Sequence, residues 1–193
     1  MKINIHLRDK FGISRNEAER LLKAGQVKVN GKPANGSVEV VAKDKVEITK
    51  KIHEKEYFAY NKPYGLLTQG KAEEKSVVTL FKKHHLFPIG RLDKDSEGLI
   101  LMTNDGRVTE KLLHPRFYHE KEYRAELHRP VNNVLLRGLK SGLHVGGFRA
   151  RPAQVRKADS PDTIDIILTE GQNRQVRRMV QAFGFTVVNL LRF

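Results

Sequence analysis

The sequence predicts an α+β protein in two domains, and three observations point there. Ser14-Arg15-Asn16-Glu17 is a capping box opening a run with Ala18, Leu21 and Leu22 at helical spacing, and Val27 and Val29 then alternate with Gln26 and Lys28 as in a half-buried strand. Thr49 to Lys55, TKKIHEK, is charged and without period, as a linker is. Beyond it, short apolar runs bounded by turn formers are mixed with helical patterns. The expected boundaries are a small helical and β module at 1–48, a linker at 49–55 and a larger domain at 56–193.

In chain order, Ile3 to Phe11 is short and amphipathic, with Gly12 placed to end a helix. The capped helix from Ser14 stops near Gly25. Asn30-Gly31 is a hairpin signal, and Val38, Val40, Val46 and Ile48 continue the strand pattern. After the linker, Tyr57 to Tyr60 is strand-like, and Lys62-Pro63-Tyr64-Gly65 is a turn with proline suited to its second position. Leu66 and Leu67 enter a core, and Val77 to Lys82 is a modest helix.

Leu99 to Met102 reads as a short buried strand, followed by a turn at Asn104-Asp105-Gly106. A helix over Arg107 to Leu113 ends before His114-Pro115. Tyr123, Ala125 and Leu127 alternate as in a strand, and Gly138 to Gly147 reads as turns around another. Ile164 to Leu168 is almost continuously apolar, so it is expected centrally in the sheet. From Arg174, the spacing of Val176, Met179, Val180 and Phe183 suits a helix with one buried face, ended by Gly184. Three arginines at its start oppose the helix dipole unless they meet anions, which marks the place as a site.

The chain has 193 residues and carries 36 Lys+Arg against 22 Asp+Glu, a formal net charge of +14. That balance favours a polyanionic partner, nucleic acid ahead of an anionic membrane. No apolar stretch approaches the ~20 residues of a membrane span, and no signal-peptide pattern opens the chain. There is no cysteine, which excludes disulfides and thiolate chemistry. The eight histidines are scattered without metal-ligand spacing, so no metal is expected. A cytoplasmic protein fits these features.

The densest polar chemistry is Arg91-Leu92-Asp93-Lys94-Asp95, closed by Gly98 and feeding the apolar run. Asp93, Asp95, Glu97 and Gly98 mimic the start of a calcium loop, but Asn104 stands where its bidentate glutamate belongs. On an extended segment Asp93 and Asp95 point to opposite sides, which makes one catalytic aspartate the simpler reading.

The string GRLDKDSEGLILMTNDG closely resembles the catalytic motif of the RsuA-like ribosomal RNA pseudouridine synthases, nearest to the F and B types that modify large-subunit RNA. The resemblance implies that Asp93 is the nucleophile. It also implies that Lys62-Pro63-Tyr64-Gly65 is the family's Asn-Lys-Pro-x-Gly turn, and that Tyr123 in Lys-Glu-Tyr stacks on the target base and is a candidate for removing its C5 proton. In EGQNRQVRRM it implies that Arg177 pairs with Asp93 and that Val176 floors the base site, with Arg174 and Arg178 beside them. Usual members carry arginine where Gln172 stands. Arg91 is the candidate to replace the flipped base or hold a phosphate. SRNEAERLLKAGQVKVNGK resembles the S4 RNA-binding domain, with Arg15, Arg20, Lys23 and Lys28 as phosphate contacts. The implied fold is an S4-like domain before a catalytic domain with a mostly antiparallel mixed sheet flanked by helices. The family often continues past Phe193 with another strand, so the chain is read as a trimmed or short member.

Isomerising uridine exchanges bonds within one nucleotide, so no cofactor is expected. An ionised aspartate is compatible with attack at C1′, attack at C6 or elimination through a glycal-like species. The expected partner is ribosomal RNA, of the large subunit, bound by a monomer away from membranes. The competing reading is a non-catalytic S4-type RNA-binding or ribosome-assembly protein. Asp93, Tyr123 and Arg177 argue against it, since binding alone needs no such set.

Overall fold

The computed structural model describes residues 1–50, 54–71 and 73–193, so the middle of the expected linker lies outside the described residues. Helix α1 (Ile3–Phe11) ends at Gly12, whose φ of 66° is left-handed and suits a residue without Cβ. Helix α2 (Arg15–Lys23) starts where Ser14 Oγ accepts from the Glu17 amide at 3.2 Å. The return half of the box is replaced, because the Glu17 carboxylate pairs with Arg20 at 2.6 Å. Strands β1 (Val27–Val29), β2 (Lys32–Pro33) and β3 (Val46–Ile48) form an antiparallel sheet in the order β2-β1-β3. Val38 and Val40, expected in a strand, lie outside any. Their partner segment makes one bridge, Lys2 to Glu39, and then turns into α1. Both still pack on the core built by Ile3, Leu7, Leu21 and Val27.

The larger part runs β4 (Tyr57–Lys62), α3 (Val77–Leu80), β5 (Phe87–Ile89), β6 (Glu97–Thr103), α4 (Gly106–Leu113) and β7 (Lys121–Leu127). It continues with α5 (Asn133–Ser141), β8 (Leu143–Val145), β9 (Phe148–Ala150), β10 (Gln154–Lys157), β11 (Thr163–Leu168), α6 (Gln175–Gln181) and β12 (Val187–Arg192). The main sheet has the order β10-β11-β7-β12-β6-β4, and only β12 with β6 is parallel. This is the mostly antiparallel mixed sheet of an α+β fold. On the side of β6 away from β4, β12 pairs with the start of the strand and β5 with its end. The stretch between them, around Leu99, is where the site opens.

Three readings change. Strand β11 is one strand in from the edge, and it is buried because α5 and α6 pack over it with Leu135, Leu139, Val176 and Met179. Gly138 is not in a turn. It lies inside α5, capped by Asn132 (Oδ1 accepts from Leu135 N at 2.9 Å), where a Cβ would collide with the Phe183 ring. That tertiary contact overrides glycine's poor helix propensity. The apolar run in β6 is not buried throughout: Ile100 and Met102 are inside, whereas Leu99 is half-buried and Leu101 is 38% exposed. Strand period sends these two to the other face.

The two parts meet where α1 ends and α4 begins. Gly106 N donates to Gly12 O at 3.1 Å and Lys55 Nζ to the same oxygen at 2.7 Å. Asp105 caps α4, accepting from the Arg107 amide at 2.9 Å and from Tyr57 Oη at 2.6 Å.

Candidate active site

The loop from Gly90 to Ser96 joins β5 to β6 and presents Asp93. Its shape is fixed by neighbours on every side. Thr68 Oγ1 donates to Leu92 O at 2.6 Å and accepts from Leu92 N at 3.0 Å, in a buried bidentate clasp. Gly65 N donates to Lys94 O at 2.8 Å, and Ser96 N closes a turn onto Asp93 O at 3.1 Å. The segment is therefore turned, not extended. Asp93 and Asp95 come within reach of one cation instead of pointing apart.

That cation is Arg174. It meets Asp95 through both terminal nitrogens at 3.0 and 2.8 Å, and its Nη1 lies 3.9 Å from Asp93 Oδ2. Arg177, expected to pair with Asp93, pairs with Asp95 instead, with Nε 3.4 Å from its carboxylate and Nη2 donating to its carbonyl. Its other nitrogen donates to Val187 O at 3.0 Å, so Arg177 bolts the loop to β12. The Arg174 hydrogen bonds hold the Asp95 carboxyl below the usual carboxylate range, and Asp95 in turn raises Arg174. Asp93 keeps an open carboxylate, 23% exposed, on a cavity of about 990 Å³. Tyr123, Val176, Leu99 and Leu101 give that cavity apolar walls, while Arg91, Arg174 and Lys121 give it positive charge. A planar, uncharged base on an anionic backbone is the ligand such a cavity suits.

The description RNA pseudouridylate synthase matches residues 56–182, two-thirds of the chain. The chain belongs to the RNA pseudouridylate synthase family. The S4 domain description matches residues 7–46. The dual-specificity RNA pseudouridine synthase RluF of Salmonella typhi is 36% identical over 199 residues, spanning 99% of this chain and 68% of that protein. Ribosomal large subunit pseudouridine synthase B of Bacillus subtilis is 38% identical over 192 residues, spanning 93% and 79%. A solved pseudouridylate synthase superposes with a TM-score of 0.72 at 27% identity, covering 100% of this chain and 87% of that one. This chain is thus an RNA pseudouridine synthase with an S4 RNA-binding domain.

Within the synthase, the remaining expected residues separate. Arg91 is exposed at the cavity, Tyr123 is half-buried between the two cores of the larger part, and Val176 is 4% exposed beneath the site. Arg178 turns away, donating to the Val145 and Gly146 carbonyls with its guanidinium 4.8 Å from the Phe148 ring. Lys62 is a correction. It is fully buried, and its ammonium donates to Leu66 O at 2.7 Å and Pro63 O at 2.9 Å, so it holds a turn instead of standing at the surface. In the S4 domain Arg15 pairs with Glu19 on the outside at 3.1 Å, and Lys23 is exposed. Arg20 sits about 140° further round the helix and lines a cleft of about 520 Å³ between the two parts. Lys28 is half-buried in β1. On α2 the cations Arg15, Lys23 and Arg20 span an arc of about 140°, and Lys28 follows in β1.

Sequence reasoning missed Thr68, Arg192 and Glu170. Arg192 lines the cavity and donates to Leu99 O at 2.6 Å, filling the gap between β12 and β5. Glu170 is 9% exposed and accepts from Gln175 Nε2 at 2.7 Å and Arg151 N at 3.0 Å. Thr68 and Arg192 act on backbone 24 and 93 residues away, and Glu170 joins its neighbour Gln175 to Arg151, 19 residues back, so spacing alone marks none of them.

Proposed function

We propose that this synthase isomerises uridine to pseudouridine in ribosomal RNA of the large subunit, with Asp93 as its nucleophile. The observation that carries the reading is the open Asp93 carboxylate at the wall of a cavity whose neighbouring carboxylate, Asp95, is already neutralised by Arg174. The name of the Bacillus subtilis relative, ribosomal large subunit pseudouridine synthase B, supports the ribosomal target.

The reaction breaks the bond from ribose C1′ to N1 and rebuilds it at C5, with the C5 proton leaving at the end. All bonds are exchanged within one nucleotide, so no cofactor takes part. The target must leave its stack at a cost of roughly a few kcal/mol, which phosphate contacts and stacking on Tyr123 offset. Arg91, exposed beside Asp93, fills the vacated place or holds a phosphate. The Arg174 guanidinium, 3.9 Å from the Asp93 carboxylate, gives it a cationic neighbour at the cavity wall. Tyr123 faces the same cavity and is the candidate to take the C5 proton. In this reading residues 1–48 hold the RNA through Arg15 and Lys23, residues 56–193 carry the chemistry, and the enzyme works as a cytoplasmic monomer.

Chemical mapping of pseudouridine in ribosomal RNA treated with the protein and with its Asp93→Asn form tests the reading. A modification made only by the unaltered protein, with RNA affinity retained in the variant, is the expected result. Absence of modification on both free and ribosome-assembled RNA, or unchanged turnover by the Asn form, overturns it.

A further inference from the structure

The cavity beside Asp93 accounts for one base, but its rim carries chemistry that one base does not use. The segment His114–Lys121, HPRFYHEK, holds six aromatic, imidazole or cationic residues in eight positions. Pro115, His119 and Lys121 of this segment line the cavity. Phe117 and Tyr118 stand outside it, 40% and 60% exposed, and neither ring belongs to the cores described above.

Each ring is backed by an arginine. The Arg151 guanidinium lies 5.0 Å from the Tyr118 centroid and is itself held by Glu170 at 3.5 Å, a residue of the cavity wall. Arg116 lies 4.7 Å from the Phe117 centroid, and the His119 ring is 6.2 Å away, tilted by 36°. Tyr118 also holds a left-handed backbone, φ 52°, closed by its amide on Pro115 O at 3.3 Å. An aromatic residue rarely adopts that conformation, and here it turns a large ring out into solvent.

We propose that Phe117 and Tyr118 form a stacking platform for the RNA bases next to the target uridine, backed by Arg116 and Arg151. This rests on the assignment of the Asp93 cavity as the uridine site. Flipping one base leaves its neighbours unstacked on one side, at the cavity mouth. Unstacked bases are held on aromatic and guanidinium planes, without regard to sequence, while cations take the adjoining phosphates. The platform abuts the cavity through Pro115 and His119, so a strand leaving the site passes over it. A protein partner would equally meet exposed rings, but the arginines stacked on them and the net charge of +14 favour RNA.

The test uses the full chain and an RNA carrying the mapped uridine, with 2-aminopurine replacing the nucleotide on either side. The unaltered protein is expected to quench one of these labels on binding. Tyr118→Ala should weaken that quench and raise KM about tenfold, as for one lost stacked base, with the loss falling on KM more than on kcat. Tyr118→Trp should restore both, whereas Tyr118→Asn, which tolerates the left-handed backbone, should not. If Tyr118→Ala and Phe117→Ala keep the wild-type quench and KM while still modifying the same uridine, the platform is refuted and the function stands. If the unaltered protein makes no pseudouridine, the function fails and the platform falls with it.

Discussion

Arg174 grips Asp95 through both terminal nitrogens, at 3.0 and 2.8 Å, and thereby ties the start of α6 to the loop that presents Asp93. The helix begins with cations where its dipole favours anions, a local conflict that Asp95 resolves from 79 residues away. Arg174 adopts φ 50° to make the reach. The arrangement divides labour between two carboxylates: Asp95 is consumed in positioning, and Asp93 stays available.

A bidentate fork cannot be copied by a point charge, so Arg174→Lys should loosen the loop without removing charge. We expect kcat to fall about tenfold, the equivalent of ~1.4 kcal/mol in the barrier. The pair is partly exposed, so the melting temperature should hardly move. Steady-state kinetics alongside thermal melting checks this, and an unchanged kcat would remove Arg174 from the positioning role.

Asp95 makes a pH-dependent contribution whose sign follows from its depressed pKa. The carboxyl ionises more readily folded than unfolded, so its stabilisation is complete above the ordinary value, about 3.9, and is lost as pH falls through the lower folded value. At 33% exposure the contribution is discounted to about 1 kcal/mol. Asp95→Asn should lower the melting temperature at pH 7 by a few degrees, and the gap to the unaltered protein should close as pH falls below about 4. A gap that is flat from pH 7 to 3 would contradict the assignment.

The sequence displayed the parts of this molecule that local rules govern. The Ser14 cap, the Gly12 stop, the Asp93 loop and the helix bearing Val176 and Met179 are all written in spacing and turn chemistry. What it hid depends on residues distant in the chain. Arg177 was expected on Asp93, but the turn made by Ser96 N on Asp93 O places Asp95 beneath it. Thr68 looks like any loop threonine until Leu92 is set against it. Leu99 and Leu101 belong to an apolar run that signals a buried strand, yet one face of that strand is the wall of the cavity.

Gly106 occupies the joint between the two parts, where an added Cβ would overlap the Ile13 carbonyl. Gly106→Ala should push α4 from the end of α1 and break the Gly106 N to Gly12 O bond. Faster hydrogen exchange in both α1 and the first turn of α4 is the expected readout, together with a several-fold rise in KM for long RNA. Exchange confined to α4 would show that the contact does not couple the domains.

Lys62 separates a structural lysine from an RNA-binding one. Its ammonium is fully buried and bonded to the Leu66 and Pro63 carbonyls, and burial lowers its pKa although Asp95, Glu97 and Asp93 pull it back up. Lys62→Met keeps the volume but leaves those carbonyls without their donor, at a cost of about 1–3 kcal/mol. For a chain of this size that is a fall in melting temperature of roughly 2–12 °C. Between the lowered folded pKa and the ordinary value near 10.4, the unfolded lysine binds more protons than the folded one. The unaltered protein therefore gains stability relative to the variant as pH rises through that window. A lysine that neutralises a phosphate behaves differently, and its loss would reduce the salt dependence of RNA affinity by about one counterion. We expect the slope of log affinity against log salt to stay constant while stability falls. A shallower slope with unaltered melting would return Lys62 to the RNA interface.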